Sequence, residues 1–216
     1  MELIVALTAE HALIDATAGA LRTWAQRHGR GEAPATDGHA FLRFFRRWAN
    51  DFHHAREEQV LFEALVNEAG LPRVRGPIAV IVGDHASLAK GLAELERLLV
   101  AGGQEAALLE VCLRYTRQLG HHIDAENSVL FPEGEARLAR HGVRELEGRA
   151  PTPEELDAKA EGEALVARYP SGDDLEIIRG DGCVLCPAFG ATCEGLEREW
   201  WTESEWEELS DRMTSD

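Results

Sequence analysis

Apolar residues recur at every third or fourth position through the first 130 residues of the chain, and this spacing is typical of amphipathic helices. Helix-breaking residues divide the pattern into four long segments, over about residues 3–28, 37–69, 77–100 and 104–130. Long helices joined by short loops lie antiparallel to their neighbours. The pattern therefore predicts an all-α protein built on an up-down-up-down four-helix bundle.

Glycine and proline mark the ends of the predicted helices. Gly29, Gly70 and Gly102 follow the first three segments, and Pro77 suits the first turn of the third. We expect the fourth helix to stop before Pro132, because proline has no N–H to donate and its ring clashes with the preceding turn.

The composition changes after the predicted bundle. Residues 151–216 carry 18 acidic and 5 basic side chains, in a chain of 216 residues with a net charge of −17. We predict two units, a bundle over residues 1–146 and an acidic C-terminal extension over residues 147–216. Thr152 and Glu155 form a capping-box pattern, which predicts that a fifth helix begins there and runs to about Arg168.

The rest of the extension combines aromatic residues with a cysteine-containing loop. Residues 175–178 suit a short strand, and residues 202–205 cap a last amphipathic helix in a region that contains three tryptophans. These tryptophans indicate docking, either on the protein's own bundle or on a partner. Three cysteines precede the tryptophans, namely Cys183, Cys186 and Cys193. Three interpretations stay open for them: unligated structural thiols, a redox pair or a metal site.

The charge disfavours two classes of partner. A net charge of −17 repels nucleic-acid phosphates and anionic lipid head groups. The longest uninterrupted apolar runs, which include residues 78–82, are much shorter than the roughly 20 residues of a membrane span, and the N-terminus has no basic signal-peptide segment. We therefore expect a cytoplasmic protein with no nucleic-acid and no membrane partner.

Histidine and glutamate recur together in the second and fourth segments. His54 and Glu58 are four residues apart, as are His122 and Glu126, so each pair lies on one helix face. Apolar residues follow both pairs at helical spacing, which directs the carboxylates towards the core. Buried carboxylates need cations, and each pair therefore suits half of a metal site.

The first and third segments each add one histidine on an apolar face. His11 and His85, together with the two pairs, bring four imidazoles and two carboxylates towards the bundle axis. This donor set suits two ions of iron, manganese or zinc. The neighbouring residues His53, Glu57 and His121 point about 100° away from the ligand direction, so we predict that they lie on the rim or the surface.

The motif order resembles the hemerythrin-like, or HHE cation-binding, family over about residues 1–135. The Glu-x-x-His spacing of ferritin-like di-iron proteins does not occur in the chain, whereas His-x-x-x-Glu occurs on two helices. The resemblance implies a hemerythrin-like bundle that holds two iron ions joined by an oxo or hydroxo bridge, with zinc or manganese as alternatives. It assigns one iron to His11 and His54, the other iron to His85 and His122, and the bridging roles to Glu58 and Glu126.

The resemblance also implies a function. Oxygen carriers of the family have a fifth histidine one turn from the ligand on helix three, where this chain has Ile81 and Ala89. Open metal positions would then bind or reduce a diatomic or peroxide ligand, namely O2, NO or H2O2. As an enzyme, the protein would be a di-iron oxidase, peroxidase or NO reductase that needs an electron donor and no side-chain nucleophile. The alternatives are a metal- or redox-responsive sensor acting through the extension, and a metal-stabilised structural or storage bundle.

Four further residues near the predicted site allow predictions about their roles. Tyr115 either packs in the apolar core or donates a hydrogen bond to a bound ligand, and packing is the simpler interpretation. Asp15 and Asp84 either orient a neighbouring histidine or lie in solvent. Cys112 lies on the apolar face of the fourth segment and is predicted to be a buried apolar residue.

Overall fold

The computed structural model describes residues 1–172 of the chain. The predicted strand, the cysteine loop and the tryptophan-containing helix of the extension lie outside these described residues. Within residues 1–172 all regular secondary structure is helical, which confirms the all-α prediction.

Four long helical rods form the bundle, and two of them contain π-helical segments. The first rod is α1 (Glu2–Gly29) and the third is α4 (Gly76–Ala101). The second rod consists of α2 (Ala35–Phe44), π1 (Phe45–His54), π2 (Glu57–Phe62) and α3 (Glu63–Asn67). The fourth rod consists of α5 (Glu105–Ala125), π3 (Glu126–Leu130) and α6 (Phe131–Arg140). A further helix, α7 (Pro153–Arg168), follows the bundle.

Contacts between rods show that the fourth rod runs antiparallel to the first and third rods. The N-terminal amine of Met1 pairs with Glu135 near the end of the fourth rod, and Gly29 lies close to Glu105 at its start. Arg114 of α5 pairs with Glu94 of α4 in the same antiparallel sense. These contacts match the predicted up-down-up-down order.

The fourth rod does not stop at Pro132, so the predicted helix end is wrong. The backbone keeps right-handed helical dihedral angles through Leu130 and Phe131, and α6 continues to Arg140 with Pro132 in its first turn. The first turn of a helix tolerates proline because its N–H groups have no intrahelical partner there. The π-helical segment π3 ends at Leu130, immediately before that turn.

The apolar core is divided into two parts along the bundle axis. One cluster includes Ile14, Leu88 and Ile123, and the other includes Leu7 and Ile81. A band of buried polar side chains lies between the two clusters: His11, His53, His54, Glu57, His85, His122 and Glu126. The candidate site is therefore enclosed by apolar residues above and below.

The helix α7 packs on the bundle at α1 and α2. It begins with the predicted capping box, in which the Glu155 N–H donates to Thr152 Oγ1 and the Thr152 N–H donates to Glu155 Oε2, at 3.3 and 2.7 Å. At its other end Arg168 and Tyr169 donate hydrogen bonds to Asp37 Oδ2, at 2.8 and 2.5 Å. The predicted fifth helix is confirmed at both of its ends.

Among the described residues, α1 has the length and apolar composition of a membrane span. Counting uninterrupted apolar runs in the sequence did not reveal this property. Half of its most apolar window is buried inside the bundle, and its residues contribute to both core clusters. Packing in the core accounts for this composition.

Candidate metal centre

The π-helical segments of the second rod direct three neighbouring polar residues into the core. His53 and Glu57 are fully buried, and His54 is 6% exposed. Side chains of adjacent residues diverge by about 100° in an α-helix, and the wider π-helical turn reduces this angle. Because π1 ends at His54 and π2 begins at Glu57, the three residues face the bundle axis together.

The buried polar side chains form two groups whose donor atoms lie within 4.8 Å of one another. Cluster A contains His54, Glu57, His85 and His122, and cluster B contains His11, His53, Glu57 and Glu126. Glu57 belongs to both clusters. The two clusters therefore adjoin each other and share one carboxylate.

Both carboxylates lie between the clusters. Glu57 places Oε1 3.1 Å from His53 Nε2 and Oε2 3.4 Å from His85 Nε2, so it presents one oxygen to each cluster. Glu126 Oε2 lies 3.2 Å from the Nε2 atoms of both His11 and His122. Either carboxylate is thus placed to bridge two metal ions.

These spacings fit metal coordination. Two donors held about 2.0–2.1 Å from one ion are separated by about 2.9–3.4 Å when they subtend an angle between a right angle and the tetrahedral value. Five pairs of donor atoms in the site lie 2.9 to 3.4 Å apart, and His11 Nε2 lies 3.8 Å from Glu57 Oε1. Both oxygens of Glu57 and of Glu126 are buried without a hydrogen bond, as are His85 Nε2 and both ring nitrogens of His122. Cations at the two clusters would satisfy these atoms.

Acceptors outside the clusters orient three of the histidines. Nδ1 of His11 lies 2.8 Å from Asn127 Oδ1, and Nδ1 of His53 lies 2.9 Å from Glu10 Oε2. Nδ1 of His85 lies 2.7 Å from Glu58 Oε1. In the neutral imidazole, donation from Nδ1 leaves a lone pair on Nε2, and these Nε2 atoms point into the site.

Burial and the neighbouring carboxylates set the protonation of the site. Burial lowers the pKa of His53, but Glu57 and Glu10 outweigh it and raise that pKa to about 9. Burial also lowers the pKa of His85, and Glu57 and Glu58 raise it to about 10. Burial and then the charge of His85 lower the pKa of His54 well below its ordinary value. Protons would therefore compete with a metal ion for His53 and His85.

The structure brings five of the six predicted site residues into the clusters: His11, His54, His85, His122 and Glu126. Glu58 is not among them, because its side chain is 42% exposed and contacts His85 from outside. Ligation by the five residues stays a prediction.

The grouping differs from the predicted one. His54 lies with His85 and His122 instead of His11, and His11 lies with His53. The predicted surface positions of His53 and Glu57 are wrong, whereas His121 is exposed as predicted. The doubled residues His53-His54 and Glu57-Glu58 contain His-x-x-x-Glu in two registers, and only the π-helical turns decide between them.

Three further predictions concern neighbours of the site. Tyr115 is buried and packs edge-on against Phe45, with ring centroids 5.2 Å apart, as the packing reading predicted. Cys112 is fully buried, and burial raises the pKa of its thiol to about 12. Asp84 Oδ2 lies 3.8 Å from Nδ1 of His122, which is beyond hydrogen-bond distance.

Comparisons with known proteins agree with this geometry at the level of the family. Searches of curated proteins and of solved structures found no match. The family model described as the hemerythrin HHE cation binding domain matches residues 2–133. Because this range covers more than half of the chain and includes every residue of both clusters, the protein belongs to the hemerythrin HHE cation-binding family.

Proposed function

We propose that the protein is a non-haem di-iron protein that binds or reduces O2, NO or peroxide. The observation that carries this proposal is the pair of buried clusters, which share Glu57 and direct unpartnered oxygen and nitrogen atoms at each other. Nitrogen and oxygen donors of this kind suit iron, with manganese and zinc as the competing ions.

The donor count supports small-ligand chemistry. If Glu126 serves both clusters, an ion in either cluster would have at most five donor side chains, so a six-coordinate ion would keep at least one position for an exogenous ligand. Bound iron supplies electrons and Lewis acidity to such a ligand. The chain holds the donors in place and excludes bulk water, because Phe131 stacks on His11 and Phe62 stacks on His85.

We propose a cytoplasmic location, with a small ligand and an electron donor as partners. A net charge of −17 disfavours nucleic acid and anionic membrane surfaces as partners.

Metal analysis combined with spectroscopy tests the proposal. Protein purified without oxygen should contain about two iron ions per chain, and its near-ultraviolet and visible absorption should change on addition of O2 or NO. Protein loaded with zinc should not respond to either gas. Tight zinc binding together with failure to retain iron would overturn the di-iron assignment.

A second function, a sensor that acts through the extension, is favoured by one set of contacts. Arg149 donates a hydrogen bond to the Asp51 backbone oxygen at 2.8 Å, and its guanidinium lies over the Phe52 ring, 5.1 Å from the centroid. A Cβ atom at Gly148 would lie 3.0 Å from Arg56 Cδ. Residues 148–149 therefore cover the part of the second rod that precedes and follows His53.

Hydrogen exchange distinguishes the sensor from the simple di-iron protein. If the extension reports on the metal, amides of residues 147–172 should change their protection when iron is added or removed. Equal protection in the two forms would leave the small-ligand function and exclude the sensor.

A further inference from the structure

We infer that Glu58 is a positioning residue, which holds His85 from the solvent side and strengthens its binding of the metal ion in cluster A. Glu58 Oε1 lies 2.7 Å from Nδ1 of His85, while Nε2 of the same ring lies 3.4 Å from Glu57 Oε2 inside the site. The imidazole is thus held between an outer and an inner carboxylate. The inference rests on the proposed metal binding.

The adjacent glutamates have different surroundings. The Glu57 side chain is fully buried and belongs to both clusters, whereas the Glu58 side chain is 42% exposed. The Glu58 side chain forms a hydrogen bond with His85. The family resemblance implied a bridging role for Glu58, whereas in the structure its side chain contacts His85 from outside the clusters.

The outer acceptors of the other histidines provide an internal comparison. His11 is held by the amide of Asn127, which carries no charge. His53 is held by Glu10, whose two oxygens also accept hydrogen bonds from Arg56, both at 2.5 Å, so an adjacent cation compensates this carboxylate.

Glu58 differs from both of these acceptors. Among the described residues, Glu58 forms no salt bridge to lysine or arginine, and its ionic contact there is with His85. A carboxylate acceptor fixes the tautomer of a ligating imidazole and raises its basicity. The full charge of Glu58 should therefore increase the electron donation of His85 to a metal ion, more than the amide of Asn127 does for His11.

The test uses two substitutions at Glu58 and one matched control. Glu58→Ala removes both the acceptor and its charge, and Glu58→Gln keeps an acceptor oxygen but removes the charge. Glu63→Gln is the control, because Glu63 lies on the same rod, its side chain is 41% exposed, and it pairs with Arg73 away from the site. The measurement is anaerobic titration with ferrous iron in competition with a chromophoric chelator.

We expect Glu58→Ala to weaken the binding of one of the two iron ions by about 10- to 100-fold, with the other nearly unchanged. Glu58→Gln should have an intermediate effect, and Glu63→Gln none. The reciprocal change Asn127→Asp should tighten the ion bound by His11. This reciprocal response separates a charge effect on the imidazole from a general loss of structure.

A second readout does not require bound metal. In the nitrogen-15 spectrum of metal-free protein, the Nδ1–H signal of His85 should shift in Glu58→Ala and keep its position in Glu63→Gln. Wild-type protein that binds no metal would refute the proposed function. Wild-type protein that binds two ions, with unchanged affinities and an unchanged His85 signal in Glu58→Ala, would refute the role of Glu58 alone.

Discussion

His11 and His53 place their Nε2 atoms 2.9 Å apart in the core of the bundle. Each ring also contacts an acceptor through Nδ1, namely Asn127 for His11 and Glu10 for His53. Two neutral rings that donate through Nδ1 direct lone pairs at each other through Nε2. A cation held between the two Nε2 atoms would turn this repulsion into attraction.

Glu57→Gln should reduce the metal content of the protein from about two ions per chain to one or fewer. The carboxylate is shared by both clusters, and an amide is a poorer, uncharged metal ligand. Elemental analysis after desalting measures the effect. Glu63→Gln serves as the control and should retain both ions, whereas full retention by Glu57→Gln would show that Glu57 does not bridge.

His53→Gln and His121→Gln form a matched pair, because each replaces the first histidine of a His-His sequence. His53 is buried in cluster B, whereas His121 is exposed. We expect His53→Gln to weaken the binding of one metal ion strongly and His121→Gln to leave the binding of both ions unchanged. Isothermal titration with ferrous or cobaltous ion under anaerobic conditions compares the two. Equal behaviour of the variants would contradict the register that the structure gives the second rod.

Asp37→Asn should destabilise the protein by about 1–2 kcal/mol at neutral pH, because the buried carboxylate accepts hydrogen bonds from Arg168 and Tyr169. Burial raises the pKa of Asp37, but the bonds from Tyr169 and Arg168 outweigh it and lower that pKa below 3.8.

A lowered carboxylate pKa contributes stability that is present above pH 3.8 and is lost as the pH falls through the folded-state value. The difference between wild type and Asp37→Asn should therefore shrink as the pH falls below about 4. Urea unfolding at several pH values measures this difference in the free energy of unfolding, with Asp51→Asn on the exposed surface as the control. A difference independent of pH would rule out the carboxylate charge as its cause.

Gly162→Ala should loosen the contact of α7 with the bundle and cost about 1–3 kcal/mol, although alanine favours a helix. The added Cβ would lie 2.3 Å from Phe44 Cδ2, and that ring is fully buried and has little room to move. Gly83→Ala is the matched control, because no atom lies within 4 Å of its added Cβ and it should stabilise α4 by about 0.5–1 kcal/mol. Thermal unfolding distinguishes the opposite signs expected for the two variants.

The long helices and five of the seven residues in the two clusters could be predicted from the sequence. Apolar periodicity and glycine breakers are local signals, and they placed α1 and α4 to within a residue or two of their observed ends. Thr152 and Glu155 likewise determined where α7 begins, since a capping box involves only neighbouring residues. The same local reasoning placed His11, His85 and His122 on buried faces.

The tertiary structure alone decided which glutamate of the second rod faces the core. His53-Glu57 and His54-Glu58 have the same spacing, so the two registers are equivalent by periodicity. The choice depends on how π1 and π2 pack against the other three rods, and those contacts involve residues distant in sequence. The continuation of the fourth rod past Pro132 was also missed, because the sequence did not reveal π3, after which Pro132 lies in the first turn of α6, a position that tolerates proline.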